Sequence, residues 1–250
     1  MKSNRFSYKL LYCFMLLLGI ISCSRDKLQQ LAFNGNNDAV SLATTMFESI
    51  GGAEKWCALK SLYIKAEHTE PQMDIPYQSE IWRAIDRFEL VIEQQNDSFH
   101  VKGIFNSEEG TIHYLDDRDT FRVLDNEQLV DFEYDHNHNV YVLLNKLACN
   151  PADYRVEIDT SDRITFFHDT AFICSFALDE LNRPFGFYPP LKDGIIAGSI
   201  FTHWATHDDL VHSASGHALD SSFFYRTEVW IPSMQSLSAS FDEKIFDVRE

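Results

Sequence analysis

The chain has 250 residues, 21 basic against 38 acidic, for a net charge of −17. That balance argues against nucleic acid as a partner, because phosphates demand clustered Lys and Arg. An apolar share of 45%, with 20 Phe, supplies a large core and argues against a disordered chain. At the N-terminus Lys2, Arg5 and Lys9 precede an uncharged run from Leu10 to Ile21. Twelve such residues are too few for a helix through a hydrocarbon core of about 30 Å, and the pattern is that of a secretory signal peptide over residues 1–22.

The run ends in Ile20, Ile21, Ser22 and Cys23, which resemble the lipobox of bacterial lipoproteins. The resemblance implies cleavage before Cys23 and acylation of its thiol with palmitate-type chains, the protein's expected contact with a membrane. One acyl chain anchors marginally, and two or more anchor durably. Without the signal, 18 basic and 38 acidic residues remain, near −20, so the acyl chains and not surface charge would hold the protein to lipid. Ser24, not an aspartate, immediately follows the cysteine, which favours the outer membrane in a two-membrane envelope, facing either the periplasm or the exterior. Residues 23–36 read as a lipidated tether, and residues 37–250 as a single β-rich domain of ligand-binding type.

In the body, Val40, Ala43, Phe47 and Ile50 fall at helical spacing after an N-cap at Asn37 or Asp38, and Gly51-Gly52 stop the helix. "AEKWCALKS" predicts a short second helical turn presenting Trp56 and Leu59. From residue 60 the apolar period becomes two, with turns such as "LDDRD" and "LDNE" between strands. No helix-length connections separate them, so the strands form an antiparallel meander. Residues 138–148 (HNVYVLLNKLA) predict one helix, after which alternation resumes and runs on through Leu237, Ala239 and Phe241. The fold class is therefore mainly β (α+β). Three cysteines remain downstream, Cys57, Cys149 and Cys174. An odd number permits one disulfide at most; a Cys149–Cys174 pair is one option, and buried free thiols are the reading favoured here.

The stretch "GGAEKWCALKSLYIKAE", opening the first long strand after an amphipathic helix, is similar to the lipoprotein-carrier superfamily (LolA/LolB-like), whose fold is shared by a lipid sensor and by lipid-binding lipoproteins. The resemblance implies an open half-barrel: one curved antiparallel sheet, an N-terminal helix, and one or two helices across its open face, with an apolar space for acyl chains between them. The transfer loop of the membrane-bound carrier is not identifiable in this chain. The expected lining consists of alternating apolar positions, Ile64, Trp82, Phe88, Leu90, Phe99, Val101, Phe121, Phe172 and Phe176. A filled core would show the same alternation, and a one-residue slip would turn each side chain to the other face.

"FTHWATHDDLVHSASGH" holds His203, His207, His212 and His217, and His203, His207 and Asp208 are the best metal candidates. The glutamate of an HExxH site is absent, and strand geometry would separate His203 from His207 by about 13 Å, so exposed or polar strand positions are the preferred reading. "YDHNHN", with His136 and His138, reads as a turn, and "LDDRD" as a hairpin turn rather than a calcium loop. No GxSxG elbow and no phosphate loop is present. No cofactor is expected. The reading is a lipid-anchored envelope protein that binds or relays a lipid, lipopeptide or other amphiphile. The alternatives are an extracytoplasmic hydrolase or metal-dependent enzyme using residues 203–217, and a ligand-free structural surface lipoprotein.

Overall fold

A computed structural model describes residues 30–190 and 198–235. Cys23, the signal segment, the "LKDG" turn and the expected strand at 237–241 lie outside the described residues. Fourteen strands form one sheet: β1 (Asn34–Gly35), β2 (Ser61–Thr69), β3 (Tyr77–Ala84), β4 (Glu89–Asn96), β5 (Phe99–Asn106), β6 (Gly110–Tyr114), β7 (Thr120–Val123), β8 (Tyr154–Ile158), β9 (Ile164–His168), β10 (Ala171–Leu178), β11 (Pro184–Tyr188), β12 (Ser199–His207), β13 (Leu210–Ala218) and β14 (Phe224–Ser233). Four helices accompany it: α1 (Asn37–Ser49), α2 (Ala53–Ala58), α3 (Asn126–Asn137) and α4 (Val140–Cys149).

The strand order, β1-β8-β9-β10-β11-β12-β13-β14-β2-β3-β4-β5-β6-β7, explains why helices cross the sheet. One meander runs outward from β2 to the edge strand β7. The chain must then reach β8, near the other edge, before a second meander returns to pair β14 with β2. Along the sheet that is twelve interstrand steps, an arc of about 58 Å at roughly 4.8 Å each. Helices of 12 and 10 residues reach only about 18 and 15 Å. The α3–α4 pair is the chord of a curled, unclosed sheet, and the fold is the open half-barrel expected from the sequence.

Two apolar clusters fill the concave side. The larger gathers Ala43, Phe47 and Ile50 of the α1 segment, Trp56 of α2, Leu143 and Leu147 of α4, and strand residues including Leu62, Phe166, Phe176 and Trp230. The smaller joins Phe88, Leu90, Phe105 and Leu124 to Leu129 of α3. Between them Arg83 is buried, donating from Nη1 to His136 Nδ1 at 3.0 Å.

Several local readings change. The α1 cap is Asn36, whose side chain accepts from the Ala39 N–H at 2.8 Å. Residues 31 to 35, expected in the tether, are packed into the body: Phe33 is in the core, and the Leu31 N–H donates to Thr44 Oγ1. The single helix expected at 138–148 is preceded by α3, because "LDNE" and "YDHNHN" are not turns. Asp125 and Gln128 form a reciprocal capping box that starts α3, and Asn139 caps α4 separately. The expectation of free thiols is overturned for two cysteines. Cys57 and Cys149 are joined, with Cα atoms 4.7 Å apart, and Cys174 alone of the three is free and buried. The sequence gives no local sign of that pairing, because 92 residues separate the two positions.

The motif "GGAEKW" becomes intelligible here. Gly51 has φ +107°, and its backbone lies against the Asp209 carbonyl in the β12–β13 turn. The Val211 N–H donates to the Ile50 carbonyl at 3.0 Å, Trp56 Nε1 donates to the same carbonyl, and Lys55 pairs with Asp209 at 2.7 Å. The turn between α1 and α2 thus docks on the hairpin tip. Behind it, Asn145 Nδ2 of α4 lies within hydrogen-bond reach of the Trp56, Cys57 and Leu59 carbonyls, at 2.7, 3.2 and 3.1 Å, where α2 runs out of helical donors. Asn145→Ala is expected to destabilise the protein by about 2 kcal/mol through those orphaned carbonyls. A urea midpoint within error of wild type would contradict this role.

Candidate functional site

A pocket of about 20 Å³ lies under the first turns of α4, where that helix crosses β12 and β13. Its walls include Trp56 of α2, Tyr141 and Leu144 of α4, Trp204 of β12, and His212 and Ser213 of β13; none of the lining side chains is Asp, Glu, Lys or Arg. About 15 Å³ suffices for one water, whereas ligand pockets commonly measure about 300 to 1,000 Å³. As it stands this pocket has room for about one water, and a larger ligand would have to widen it. The helix is fastened at its C-terminal end by the Cys149–Cys57 bond and by Asn145, while Val140 and Tyr141 at its N-terminal end face the pocket.

The pocket has an aromatic wall and few polar groups. Trp230, which does not itself line the pocket, backs three of the wall rings: His212 (4.3 Å between ring centres, 7° between planes), Tyr141 (5.9 Å) and Trp56 (6.4 Å). Ser213 Oγ and the Tyr225 hydroxyl are 2.7 Å apart, and His212 Nδ1 is 3.1 Å from the Ser213 carbonyl. Burial pushes the Tyr141 and Tyr225 phenols up, Tyr225 to about 12. It pushes the His212 imidazole down, aided by His207. The site is neutral throughout.

None of the nine residues expected to line a cavity borders this pocket. Ile64 pairs with Trp230 and packs on the larger cluster. Leu90, Phe99 and Val101 share its face by register, and Phe88 lies in the smaller cluster beside Leu90. Phe176 is wholly buried in the larger one. The other three face outward. Trp82 pairs with Tyr63, their rings 5.2 Å apart on the convex face. Phe121 lies beside His113 on that face and is 66% exposed. Phe172 is turned outward, 37% exposed, by a register shift between Phe172 and Cys174; such a bulge flips the alternation.

The histidine segment is the β12–β13 hairpin. Asp208 and Asp209 form its two-residue turn with φ of 49° and 63°, as hairpins of this twist require. His203 Nδ1 lies 2.8 Å from Ser215 Oγ, His207 lies beside Asp208 at 3.6 Å, and His212 is buried against Trp230. Among the described residues no group of three or more His, Cys, Asp or Glu side chains is placed to hold a metal ion. One Ser–His pair exists elsewhere, Ser79 Oγ with His68 Nε2, but both are buried and His68 Nδ1 has no partner. The carboxylate that orients a catalytic imidazole is missing there.

The buried histidines make stability depend on pH. Burial lowers His68 to about 4; burial, then the Arg83 and Lys146 charges, lowers His136 to about 3. Between about pH 6.5 and those values the unfolded chain binds protons that the folded chain refuses, so stability is complete above 6.5 and falls as pH drops. Each such histidine costs up to about 1.4 kcal/mol per pH unit. The urea midpoint is expected to drop between pH 7 and pH 5, and His68→Gln or His136→Gln to flatten that drop. A midpoint unchanged over this range would refute the assignment.

No family model matches the sequence, and no curated protein matches it. Among solved structures, the chain is similar to a putative outer membrane lipoprotein-sorting protein domain from Vibrio parahaemolyticus, at 9% identity and TM-score 0.47, over 82% of this chain and 96% of that one. It is also similar to a DUF1329 family protein from Desulfovibrio piger ATCC 29098, at 6% identity and TM-score 0.46, over 80% of this chain and 96% of that one. Among the described residues no helix is long and apolar enough to cross a membrane.

Proposed function

We propose that this protein is a lipid-anchored cell-envelope protein that holds the apolar part of a lipid, lipopeptide or other amphiphile beneath α4. The observation that carries the reading is the uncharged, aromatic-walled pocket beneath the N-terminal turns of a crossing helix whose C-terminal end is held by a disulfide. A hydrocarbon chain entering there trades water for apolar surface at about 25 cal/mol per Å², which offsets the cost of lifting α4 from the strands. The signal pattern and Cys23 support attachment to the envelope by acyl chains, with residues 23 to 30 as the leash.

Diphenylhexatriene, a hydrocarbon that fluoresces only out of water, tests the pocket. Wild type is expected to bind it at a single saturable site. Val140→Asp places a carboxylate at the pocket mouth, yet in the first turn of α4, where an acid suits the helix. That variant is expected to fold normally and to lose at least tenfold in affinity. Equal binding by a folded Val140→Asp variant would refute the site. Independently, Cys23→Ser is expected to abolish incorporation of labelled palmitate and release the protein from membranes; retained label would refute the anchor.

A further inference from the structure

We infer that the convex face of the sheet is a docking surface, and that its occupant is the chain's own C-terminal segment, residues 236–250. Across that face Ile231, Tyr63, Trp82, Val91, Ile104 and Val123 stand in register on β14, β2, β3, β4, β5 and β7, with Thr111 of β6 between the last two. The adjacent row holds Lys65, Glu80, Glu93, Lys102 and His113. All four helices contribute to the two clusters on the concave side, and Val91 belongs to neither cluster. Yet Val91 is 0% exposed and Lys102 5%. A lysine is rarely buried so deeply on a face that water can reach, which argues for a cover over the middle of this one.

The pattern of burial selects the occupant. Exposure rises toward both ends of the apolar row, to 45% at Ile231 and 61% at Val123. A cover narrower than the sheet fits a single segment of chain, whereas a bilayer or a second copy would take the ends as well. Hydrocarbon would also have to accept Glu80 and Glu93, and two copies at −17 each repel one another. The C-terminal segment starts within reach of the row. The Gln235 carbonyl accepts from Ser61 Oγ at 3.0 Å, two residues from Tyr63, and fifteen residues follow it. From β14 to β4 is three interstrand steps, about 14 Å, and fifteen extended residues span about 50 Å. In sequence, Leu237, Phe241, Ile245 and Phe246 offer apolar side chains, and Asp242, Glu243 and Asp247 offer carboxylates. That mixture matches a face on which an apolar row borders Lys65 and Lys102.

Lysine acetylation with an N-hydroxysuccinimide ester, followed by mass mapping, tests the inference. In the chain purified from membranes, Lys102 is expected to react at least tenfold more slowly than Lys65. Deleting residues 236–250 is expected to speed Lys102 at least fivefold and to leave Lys65 within twofold. Cys174, which stays unalkylated in the folded protein, reports that the shortened chain has kept its fold. A Lys102 rate unchanged in the folded, shortened chain overturns the inference. The intact chain supplies a second test that needs no deletion. With the photoreactive residue benzoylphenylalanine in place of Phe246, irradiation is expected to join the C-terminal segment to peptides of the same chain that hold Trp82, Val91 or Ile104, with a yield independent of protein concentration. Crosslinks between two chains, adducts to lipid, crosslinks to the helices alone, or no crosslink would each overturn it. The pocket beneath α4 lies on the opposite face, so diphenylhexatriene binding decides that site separately.

Discussion

Gly51→Ala is expected to destabilise this protein by about 3 to 5 kcal/mol, more than any exposed substitution. Two penalties coincide there. The residue sits at φ +107°, which a side chain tolerates poorly, and an added Cβ would press into the backbone of Asp209 and Leu210. Backbone strain of that kind costs about 1 to 3 kcal/mol. The clash cannot be relieved by a side-chain rotation, because the obstructing atoms are main chain. Gly52 provides the internal control: its φ is +93°, yet nothing lies within 4 Å of the position a Cβ would take. Gly52→Ala should therefore lose only the strain. Urea melts of the two variants separate the effects, and equal losses would show that the contact with the β12–β13 turn is not what Gly51 serves.

Breaking the Cys57–Cys149 bond is expected to cost about 4 kcal/mol. The two residues are 92 positions apart, and a loop of that length gives roughly this figure if the bond acts by restricting the unfolded chain. Both cysteine residues are half-buried, and a thiol reductant is expected to reach them in the folded protein. Cys174 is buried, and burial pushes its thiol up, which makes it inert until the chain unfolds. Mass mapping after alkylation should find none of these three cysteines labelled without reductant, two after mild reduction, and Cys174 labelled only in denaturant. Labelling of Cys57 or Cys149 in the untreated native protein would contradict the bond, and an unshifted urea midpoint after reduction would contradict its weight.

Much of the architecture was legible because it rests on local periodicity. The α1 stripe of Val40, Ala43, Phe47 and Ile50, the two glycines after it, and the alternation from Leu62 onward each specify their element without help from distant residues. Helix α3 was harder to see. Its apolar side is narrow, Leu129 and Phe132 with the buried His136, and its acidic and Asn-rich sequence looks like turns until Asp125 and Gln128 are recognised as a capping box.

The outward placement of Phe172 followed from a bulge, which no alternation rule contains. The parity of Trp82 and Phe121 depended on register across the sheet. The pocket drew on Trp56, Tyr141, Trp204 and His212, four residues from four elements. Of these only Trp56 stood out, through "GGAEKW". Trp204 and His212 sat in a segment where the histidines suggested metal, whereas the useful signal was the recurrence of large aromatic rings. Cys57–Cys149 could not have been paired without knowing that α4 returns across α2.

The space beneath α4 is proposed to hold the apolar part of an amphiphile. The direct measurement is to purify the full chain from envelope membranes, extract it with organic solvent, and identify by mass spectrometry what is released, in parallel with Val140→Asp. Wild type is expected to yield close to one mole per mole of an acyl-bearing amphiphile, beyond the chains attached covalently, and Val140→Asp to yield little. An extract equal from both proteins, or none from either, would contradict the claim.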